Sequence, residues 1–347
     1  ATGIDASPGV IWFSDSGAPQ TWDRAANFIT LGDGDGQKNR AWCKWDNNYI
    51  VVGREGSTWL MNAEPAVTPT SGVGTPISLS VGCLSPMTMC QVGKDIFWLT
   101  QHGYVTSVSR LFQDSQTQVE PSISEPMHKI LSRLNRNAIA KCNAFSWNNR
   151  YFLSIPVDGA TECNYVLVFN TIIGKWTGYW TNLKASCFAR QSFSGDERLV
   201  FGDSTGLVKK LMDRSSDGIY DDDGTAITTE LVTRGFSWQA PQTEKVPANI
   251  HAVWYKSVAM ANITIILDQS KRKVIRTGID TGSTGPVIPV QLPFTLGFEG
   301  NVQKIFGVRT GPCFMAQYSI TSTGGYIAHR AIISNAYMNS QRIAKLN

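Results

Sequence analysis

The 347-residue sequence has few charged residues and lacks long apolar runs. Charged residues make up 17% of the chain, whereas 42% are apolar and 10% aromatic. Disordered chains are rich in charge and poor in aromatic residues, so this composition excludes a disordered protein. Because no apolar run approaches the roughly 20 residues that a membrane helix needs, we expect no membrane insertion.

The sequence also lacks the usual marks of a metal site or a catalytic centre. Its seven cysteines form no CxxC pair and its four histidines are far apart, so zinc spacing is absent. No nucleophile elbow, phosphate-binding loop or dinucleotide fingerprint is present. We therefore expect no catalytic residue, no metal, no cofactor and no enzymatic activity. We further expect reduced, mostly buried thiols, as in a protein made in a reducing compartment.

Two loops rich in aspartate could be mistaken for calcium sites. Asp217 and Asp221–Asp223 could bind calcium through carboxylate oxygens, but they lack the alternating spacing and distal glutamate of a twelve-residue calcium loop. This favours a polar turn, although a metal there stays open. The Gly32–Gly36 stretch alternates glycine with aspartate and is interpreted as a flexible loop.

Short alternating strands separated by glycine, asparagine and aspartate dominate the first two thirds of the chain. They form repeated units of about three strands, and the units are centred on Tyr49, Ile96, Tyr151 and Leu199, at spacings of 47, 55 and 48 residues. One such meander cannot bury both of its faces, but meanders stacked around an axis can. The repeat therefore predicts an all-β protein with a β-propeller of three- to four-stranded meanders.

The eleven tryptophans are candidates for the apolar filling between these units. We expect at least two of Trp59, Trp98 and Trp176 to be largely buried, because each lies on or beside the last strand of its meander. Stacking against carbohydrate is the alternative role.

One segment has the pattern of a helix rather than of a strand. Ser124 is a suitable capping residue and Pro126 suits the first turn, so the sequence predicts a short helix near residues 125–136. An apolar stripe at helical spacing should face the body of the protein. Its members are Met127, Ile130, Leu131 and Leu134.

The repeat ends at a polar strip, Asp213–Gly224, after which the strand spacing changes. We predict a β-propeller-like domain over residues 1–228 and a smaller, β-sandwich-like domain over residues 229–347. Charge differs between the two parts of the chain, because residues 250–347 carry a net +7 and residues 1–249 a net −3. Such asymmetry is compatible with an acidic partner and equally with ordinary solvated charge.

Four basic residues stand close together in the second domain. Lys271, Arg272, Lys273 and Arg276 are predicted to form a basic turn after the strand Asn262–Asp268. At a hairpin tip they could contact phosphate. Four charges without a recognition helix do not define a nucleic-acid site, so contact with a neighbouring subunit is the expectation for this turn.

Five segments occur in an order that resembles a known family. They are VIWFSDSGAPQTWD (10–23), NNYIVVGREGSTWLM (47–61), GCLSPMTMCQVGKDIFWLTQHGYVTSV (82–108), ISEPMHKIL (123–131) and YDDDGTAITT (220–229). Together they resemble the β-propeller virion proteins of tailed bacteriophages, specifically the tail nozzle or packaged-DNA stabilisation proteins of short-tailed phages. The resemblance covers roughly residues 10–230.

The resemblance implies a structural protein of the virion tail, made in the host bacterial cytoplasm. Such proteins form a homo-oligomeric ring, usually sixfold, below the portal and adaptor. They continue the channel for double-stranded DNA, help to retain the packaged genome and contact tail fibres or spikes. The family has no catalytic motif to carry over to residues of this chain.

Two other functions remain open. A carbohydrate-binding or glycoside-hydrolysing β-propeller would need carboxylates and aromatic rings that converge on one face. A tail-tip or hub protein of a long-tailed phage would have the same fold.

Overall fold

In a computed structural model of the chain, the described residues are 2–4, 7–15, 17–23, 25–32, 34–46, 48–62, 74–117, 122–181, 183–193, 195–211, 221–222, 225–239, 241–255, 260–280, 301–323 and 329–338. The chain divides into two units, Ala1–Asp213 and Arg214–Asn347. The boundary predicted from the sequence, at residue 228, lies later in the chain. Among the described helices none is long and apolar enough to cross a membrane.

Five antiparallel sheets follow one another along the first unit. Sheet 1 contains β1 (Thr2–Ile4), β2 (Ser7–Trp12) and β3 (Phe28–Thr30). Sheet 2 contains β4 (Asn39–Trp45), β5 (Tyr49–Arg54), β6 (Thr58–Asn62) and β7 (Gly74–Ser78). Sheet 3 contains β8 (Cys90–Val92), β9 (Asp95–Leu99) and β10 (Val105–Ser107). Sheet 4 contains β11 (Asn143–Trp147), β12 (Arg150–Ile155), β13 (Tyr165–Asn170) and β14 (Lys175–Thr181), and sheet 5 contains β15 (Ala185–Phe193), β16 (Asp196–Asp203) and β17 (Val208–Leu211).

Within each of these sheets the strands pair in chain order, and successive sheets touch through their first strands. Thus β4 lies beside β1 and β8, and β11 lies beside β8 and β15. Tight turns keep each meander short. For example, Asn148 and Asn149 join β11 to β12 with φ angles of 46° and 57°, the left-handed pair that a two-residue hairpin turn of type I′ requires.

Each pair of successive sheets encloses its own apolar cluster. Ile29 of sheet 1 packs with Val52 of sheet 2, and Val51 of sheet 2 packs with Trp98 of sheet 3. Leu99 and Leu153 lie in the cluster between sheets 3 and 4. The cluster between sheets 4 and 5 is formed by Phe152, Val166, Val168, Leu183, Ala185, Leu199, Phe201 and Leu211. Adjacent β5 residues therefore point to opposite faces and fill two different clusters.

The second unit contains two larger sheets and a small hairpin. The hairpin consists of β18 (Asp221–Asp222) and β19 (Thr225–Ala226). Sheet 6 has the order β20–β25–β22–β23 and sheet 7 the order β24–β21–β26. Their strands are β20 (Thr228–Val232), β21 (Lys245–Tyr255), β22 (Met260–Leu267), β23 (Lys271–Asp280), β24 (Asn301–Gly307), β25 (Ala316–Thr323) and β26 (His329–Met338). Both sheets contribute to one buried cluster, in which Trp254 of sheet 7 packs with Ile265 and Tyr318 of sheet 6.

The prediction of an all-β protein is confirmed, since the described chain consists mostly of antiparallel strands with few helices. The finer prediction, a propeller followed by a sandwich, stays a prediction.

The predicted helix near 125–136 is shorter than expected. A 3-10 turn, Glu125–Met127, leads into α2 (His128–Leu131). The helix ends early because the chain then forms a β-bridge between Leu134 and Val157. The predicted apolar stripe is confirmed, since its members lie in or against the cluster between sheets 3 and 4. Ser124 does not cap the helix; its hydroxyl instead accepts the backbone N–H of Val105 at 2.9 Å.

A second helix, α1 (Val108–Thr117), was not predicted. It follows β10 directly, and Val108 and Leu111 are buried in the cluster between sheets 2 and 3. Further 3-10 turns occupy Pro86–Thr88 and Arg136–Lys141.

The tryptophans only partly follow the prediction. Trp98 is completely buried, but Trp59 and Trp176 are partly exposed. Trp59 donates its ring N–H to the hydroxyl of Ser57, and Trp176 donates to the carbonyl of Ile123. These two rings therefore lie at the edges of their clusters.

The seven cysteines are free, and four of them are buried: Cys83, Cys142, Cys163 and Cys313. Burial raises the pKa of the Cys83 thiol to about 12 and that of Cys163 to about 11. The prediction of mostly buried thiols is confirmed, and such thiols carry little thiolate at neutral pH.

Candidate functional site

The four basic residues of the predicted turn lie on a strand. The turn itself is Asp268–Ser270, and Lys271 is already paired with Leu267 at the start of β23. The carboxylate of Asp268 accepts the backbone N–H groups of Phe314 and Met315 at 2.9 and 3.0 Å, which fixes the turn.

These basic residues are exposed along β23, an edge strand of sheet 6, and neighbouring side chains point to opposite faces of the sheet. Arg272 Nη1 lies 3.9 Å from a carboxylate oxygen of Glu230, and Lys273 Nζ donates to the carbonyl of Arg309. Lys271 and Arg276 are exposed on the same strand. The four residues line a strand edge instead of meeting at one point, so they form an extended surface.

An open cleft in the first unit brings aromatic rings and charged groups together. Its volume is about 390 Å³, and it lies where β11 of sheet 4 meets β15 and β16 of sheet 5. The lining residues are Phe145, Ser146, Trp147, Asn148, Arg190 and Glu197.

Strand register explains why these side chains converge. Phe145 and Trp147 alternate along β11 and both pack against the cluster between sheets 4 and 5. Arg190 lies opposite Leu199, and Glu197 lies opposite Ser192. Because directly opposite residues share a face, Arg190 and Glu197 stand on the same side of sheet 5 as the buried Leu199.

The charged groups of the cleft lie at its rim. Arg190 Nη1 and Glu197 Oε1 are 3.5 Å apart, and the two side chains are 62% and 56% exposed. The ion pair therefore adds little to stability. Its hydrogen-bonding groups face solvent, so a ligand in the cleft could meet them beside the rings of Phe145 and Trp147.

This combination suits a ligand with both apolar and hydroxyl-bearing surfaces. Aromatic rings offer flat apolar contact, while a guanidinium donates and a carboxylate accepts hydrogen bonds. The cleft was not predicted, because its two halves lie on different hairpins. The pair of asparagines after Trp147 marks a turn, but nothing in the sequence joins that turn to Glu197.

A second charged arrangement joins the end of β5 in sheet 2 to the Gly32–Gly36 loop, which was predicted to be flexible and lies between β3 and β4. Arg54 is completely buried and donates two hydrogen bonds of 2.6 Å to the carboxylate of Asp35. It also donates to the carbonyl of Gln37 at 2.8 Å. The guanidinium therefore links the described part of the loop to the sheet, while flexibility of the loop stays a prediction. This arrangement is internal and stabilises the fold.

Metal binding finds no support in the described part of the chain, where no group of three or more His, Cys, Asp or Glu side chains could hold an ion. In the predicted polar loop, Asp221 and Asp222 form β18, whereas Asp217 and Asp223 lie outside the described residues.

Comparisons with known proteins give structural likenesses alone. No family model and no curated protein matches the chain. The computationally designed Ika4 protein matches 53% of this chain and 95% of its own length, at 12% identity and a TM-score of 0.29. An exo-β-1,3-galactanase from Phanerochaete chrysosporium matches 91% of this chain and 87% of its own, at 9% identity and a TM-score of 0.29. A glycoside hydrolase family 43 arabinoxylan arabinofuranohydrolase from Bacillus subtilis matches 90% and 83%, at 8% identity and a TM-score of 0.21.

These matches correct one prediction. The chain was predicted to have no enzymatic activity. That prediction is withdrawn, because glycoside hydrolases are among the solved structures that match the chain. At TM-scores of 0.29 and 0.21, however, they transfer no reaction and no substrate to this chain.

Proposed function

We propose that the chain is a carbohydrate-binding β-propeller protein whose saccharide site is the cleft between sheets 4 and 5. The observation that carries this proposal is the convergence of Phe145 and Trp147 with Arg190 and Glu197 in one open cleft. The stacking of five successive meanders, with a separate apolar cluster between each pair, supports the propeller arrangement.

In this site the two kinds of lining group have different tasks. The apolar face of a sugar ring packs on Phe145 or Trp147, where it is removed from water. Its hydroxyls accept from the Arg190 guanidinium and donate to the Glu197 carboxylate. Arg190 Nη1 lies 3.5 Å from Glu197, so one ligand can reach both groups.

We expect Arg190→Ala to weaken saccharide binding by about tenfold or more, since a hydrogen bond to a charged group contributes about 1.5–3 kcal/mol. The ligand is first identified on an array of defined oligosaccharides, and its affinity is then measured by calorimetry. The matched control is Arg133→Ala, which removes another exposed arginine that pairs with Asp158 and does not line the cleft.

Equal affinities for wild type and Arg190→Ala would contradict the cleft as the site, as would equal losses in both arginine variants. Absence of binding to every saccharide on the array would contradict the proposed function itself. Release of reducing sugar that is lost in Glu197→Gln would extend the proposal from binding to hydrolysis.

The second candidate function is a ring component of a phage tail, with portal or adaptor, fibre or spike proteins and double-stranded DNA as partners. The order of the five segments favours it. An exposed apolar turn also favours it, because Ile172 and Ile173 between β13 and β14 are 76% and 56% exposed. Such residues suit a surface that a neighbouring protein covers.

For this candidate we expect deletion of the gene to leave heads that package DNA but fail to retain it, or particles without a complete tail. Electron microscopy and encapsidated DNA measured after purification would distinguish these outcomes. Deletion particles with a full genome and an infectious tail would contradict the ring function.

A further inference from the structure

A row of side chains leads out of the cleft between sheets 4 and 5 and across the end of sheet 4. Trp147, which lines the cleft, lies opposite Arg150 on β12. Arg150 lies opposite Asn170 on β13, and Asn170 lies opposite Lys175 on β14. Because directly opposite residues share a face of a sheet, all four side chains stand on the face of sheet 4 that borders the cleft.

The spacing of the strands sets the length of this row. Neighbouring strands lie about 4.8 Å apart, so Arg150 is one strand away from Trp147 and Lys175 is three strands away, or roughly 14 Å. A ligand of several sugar rings that packs on Trp147 can therefore extend along the row.

The row changes the balance of charge beside the cleft. Within the cleft Arg190 and Glu197 form an ion pair, so their charges offset each other. The half-buried Arg150 and the exposed Lys175 then add two positive charges along the path of a longer ligand. Positive charge of this kind attracts anionic groups.

The hydrogen-bonding groups of the row also suit an anion. A guanidinium has five N–H donors in a planar fork that fits a carboxylate, so Arg150 can bind a ligand and keep a contact within the protein. Between the two cations, the side-chain oxygen of Asn170 accepts the backbone N–H of Ile172 at 2.9 Å. The NH2 group of Asn170 is therefore the part that can donate to a ligand.

We infer that the ligand of the cleft is an acidic saccharide, with carboxylate-bearing sugars bound by Arg150 and Lys175 next to the sugar that packs on Trp147. The inference rests on the proposed saccharide site and adds the chemical class of its ligand. Arg190 and Glu197 bind hydroxyls of the first sugar, whereas the row binds carboxylates of the sugars that follow.

Matched saccharides test this class of ligand. The probes are oligomers of galacturonic, glucuronic and mannuronic acid, each compared with its methyl ester, which keeps the sugar and removes the charge. By calorimetry, at least one acid should bind about tenfold or more tightly than its ester, which corresponds to about 1.4 kcal/mol. This difference should shrink as the salt concentration rises, because salt screens exposed charges.

Substitutions separate the row from the cleft. Arg150→Gln with Lys175→Gln keeps polar side chains and removes both cations, so it should weaken binding of the acid by about tenfold or more and binding of the ester far less. Arg190→Ala should weaken both, since both carry hydroxyls. The control, Arg110→Gln with Lys129→Gln, removes the same charges on α1 and α2 and should leave both affinities unchanged.

Several results would overturn the inference and leave the saccharide site in place. They are esters that bind as tightly as their acids, binding confined to neutral saccharides, and a row variant that keeps the affinity for the acid or loses both affinities alike. A double-stranded DNA oligonucleotide that displaces the acid at equal charge concentration would assign the row to phosphate instead. Failure of every acidic and neutral saccharide to bind would overturn the proposed function together with this inference.

Discussion

Replacing Trp98 by alanine should lower the free energy of unfolding by about 3–5 kcal/mol, the usual cost of deleting a large buried aromatic side chain. Trp98 is completely buried between sheets 2 and 3 and packs in one cluster with Val51, Ile96 and Leu111. Alanine would leave a cavity that the surrounding strands can close only in part, because each strand is fixed by its own ladder of hydrogen bonds.

A polar contact adds to this loss. Trp98 donates its ring N–H to the carbonyl of Gly82 at 3.2 Å. Trp98→Phe keeps most of the ring but removes the donor, so we expect it to cost less than Trp98→Ala and still be destabilising by about 1 kcal/mol.

Chemical denaturation followed by circular dichroism measures both variants. The matched control is Trp42→Ala, because Trp42 is 63% exposed and surface substitutions usually change stability by no more than about 0.5 kcal/mol. Equal unfolding free energies for Trp98→Ala and Trp42→Ala would contradict the core position of Trp98.

Spacing in the sequence was sufficient to locate most of the sheets in the first unit. The four centres of the predicted repeat, Tyr49, Ile96, Tyr151 and Leu199, all fall on the second strand of their sheets. The repeat could be located because a meander needs a turn at each end of every strand, and turn residues can be recognised in a sequence. Sheet 1 was missed, since a long segment without alternation separates β2 from β3.

Helix α1 was not predicted, although Val108, Leu111 and Phe112 have helical spacing. The helix follows β10 directly, within the span of a predicted meander. Packing decides the outcome, because Val108 and Leu111 complete the cluster around Trp98.

The cleft could not be predicted for a different reason. Trp147 and Glu197 lie 50 residues apart on separate hairpins, and only the stacking of sheet 4 on sheet 5 brings them together. Sequence patterns report which face of a strand a residue occupies, but they do not report which sheet covers that face.

The sequence pattern likewise does not indicate the ion pair between Arg54 and Asp35 of the glycine-rich loop. Breaking this pair is the second change for which we expect a large loss of stability. Asp35→Ala should lower the free energy of unfolding by about 3 kcal/mol, near the low end of the cost of breaking a buried pair. The reason is that Arg54, which is completely buried, would lose its counter-charge. The low end applies because the Asp35 side chain is 33% exposed and water can replace part of the contact.

The loop is shaped to fit this guanidinium. Gly32 has a φ of 57°, and a Cβ atom there would lie 2.0 Å from Arg54 Nη1. A side chain at Gly32 would therefore displace Arg54. We expect Gly32→Ala to destabilise the protein, as Asp35→Ala does. Their combined loss should be smaller than the sum of the two single losses, since both remove the same contact.

Acid should weaken the same contact. Burial acts to raise the pKa of Asp35, but the hydrogen bonds and positive charge of Arg54 and the backbone N–H of Gln37 outweigh it, so the pKa lies below the ordinary value of 3.8. A carboxylate whose pKa is depressed by folding stabilises the protein fully above its unfolded pKa and loses that contribution as pH falls through the folded pKa. The difference in unfolding free energy between wild type and Asp35→Ala should therefore be constant near neutral pH and shrink below about pH 4.

Two further variants distinguish a lost pair from general damage to the loop. Arg54→Met with Asp35→Ala removes both charges and retains an apolar side chain, so it should be more stable than Asp35→Ala alone, because no unpaired charge stays buried. Asp158→Ala, which breaks the exposed pair with Arg133, should leave stability nearly unchanged. If Asp35→Ala behaves like Asp158→Ala, or if the double variant is the less stable of the two, the guanidinium of Arg54 does not depend on Asp35 for its burial.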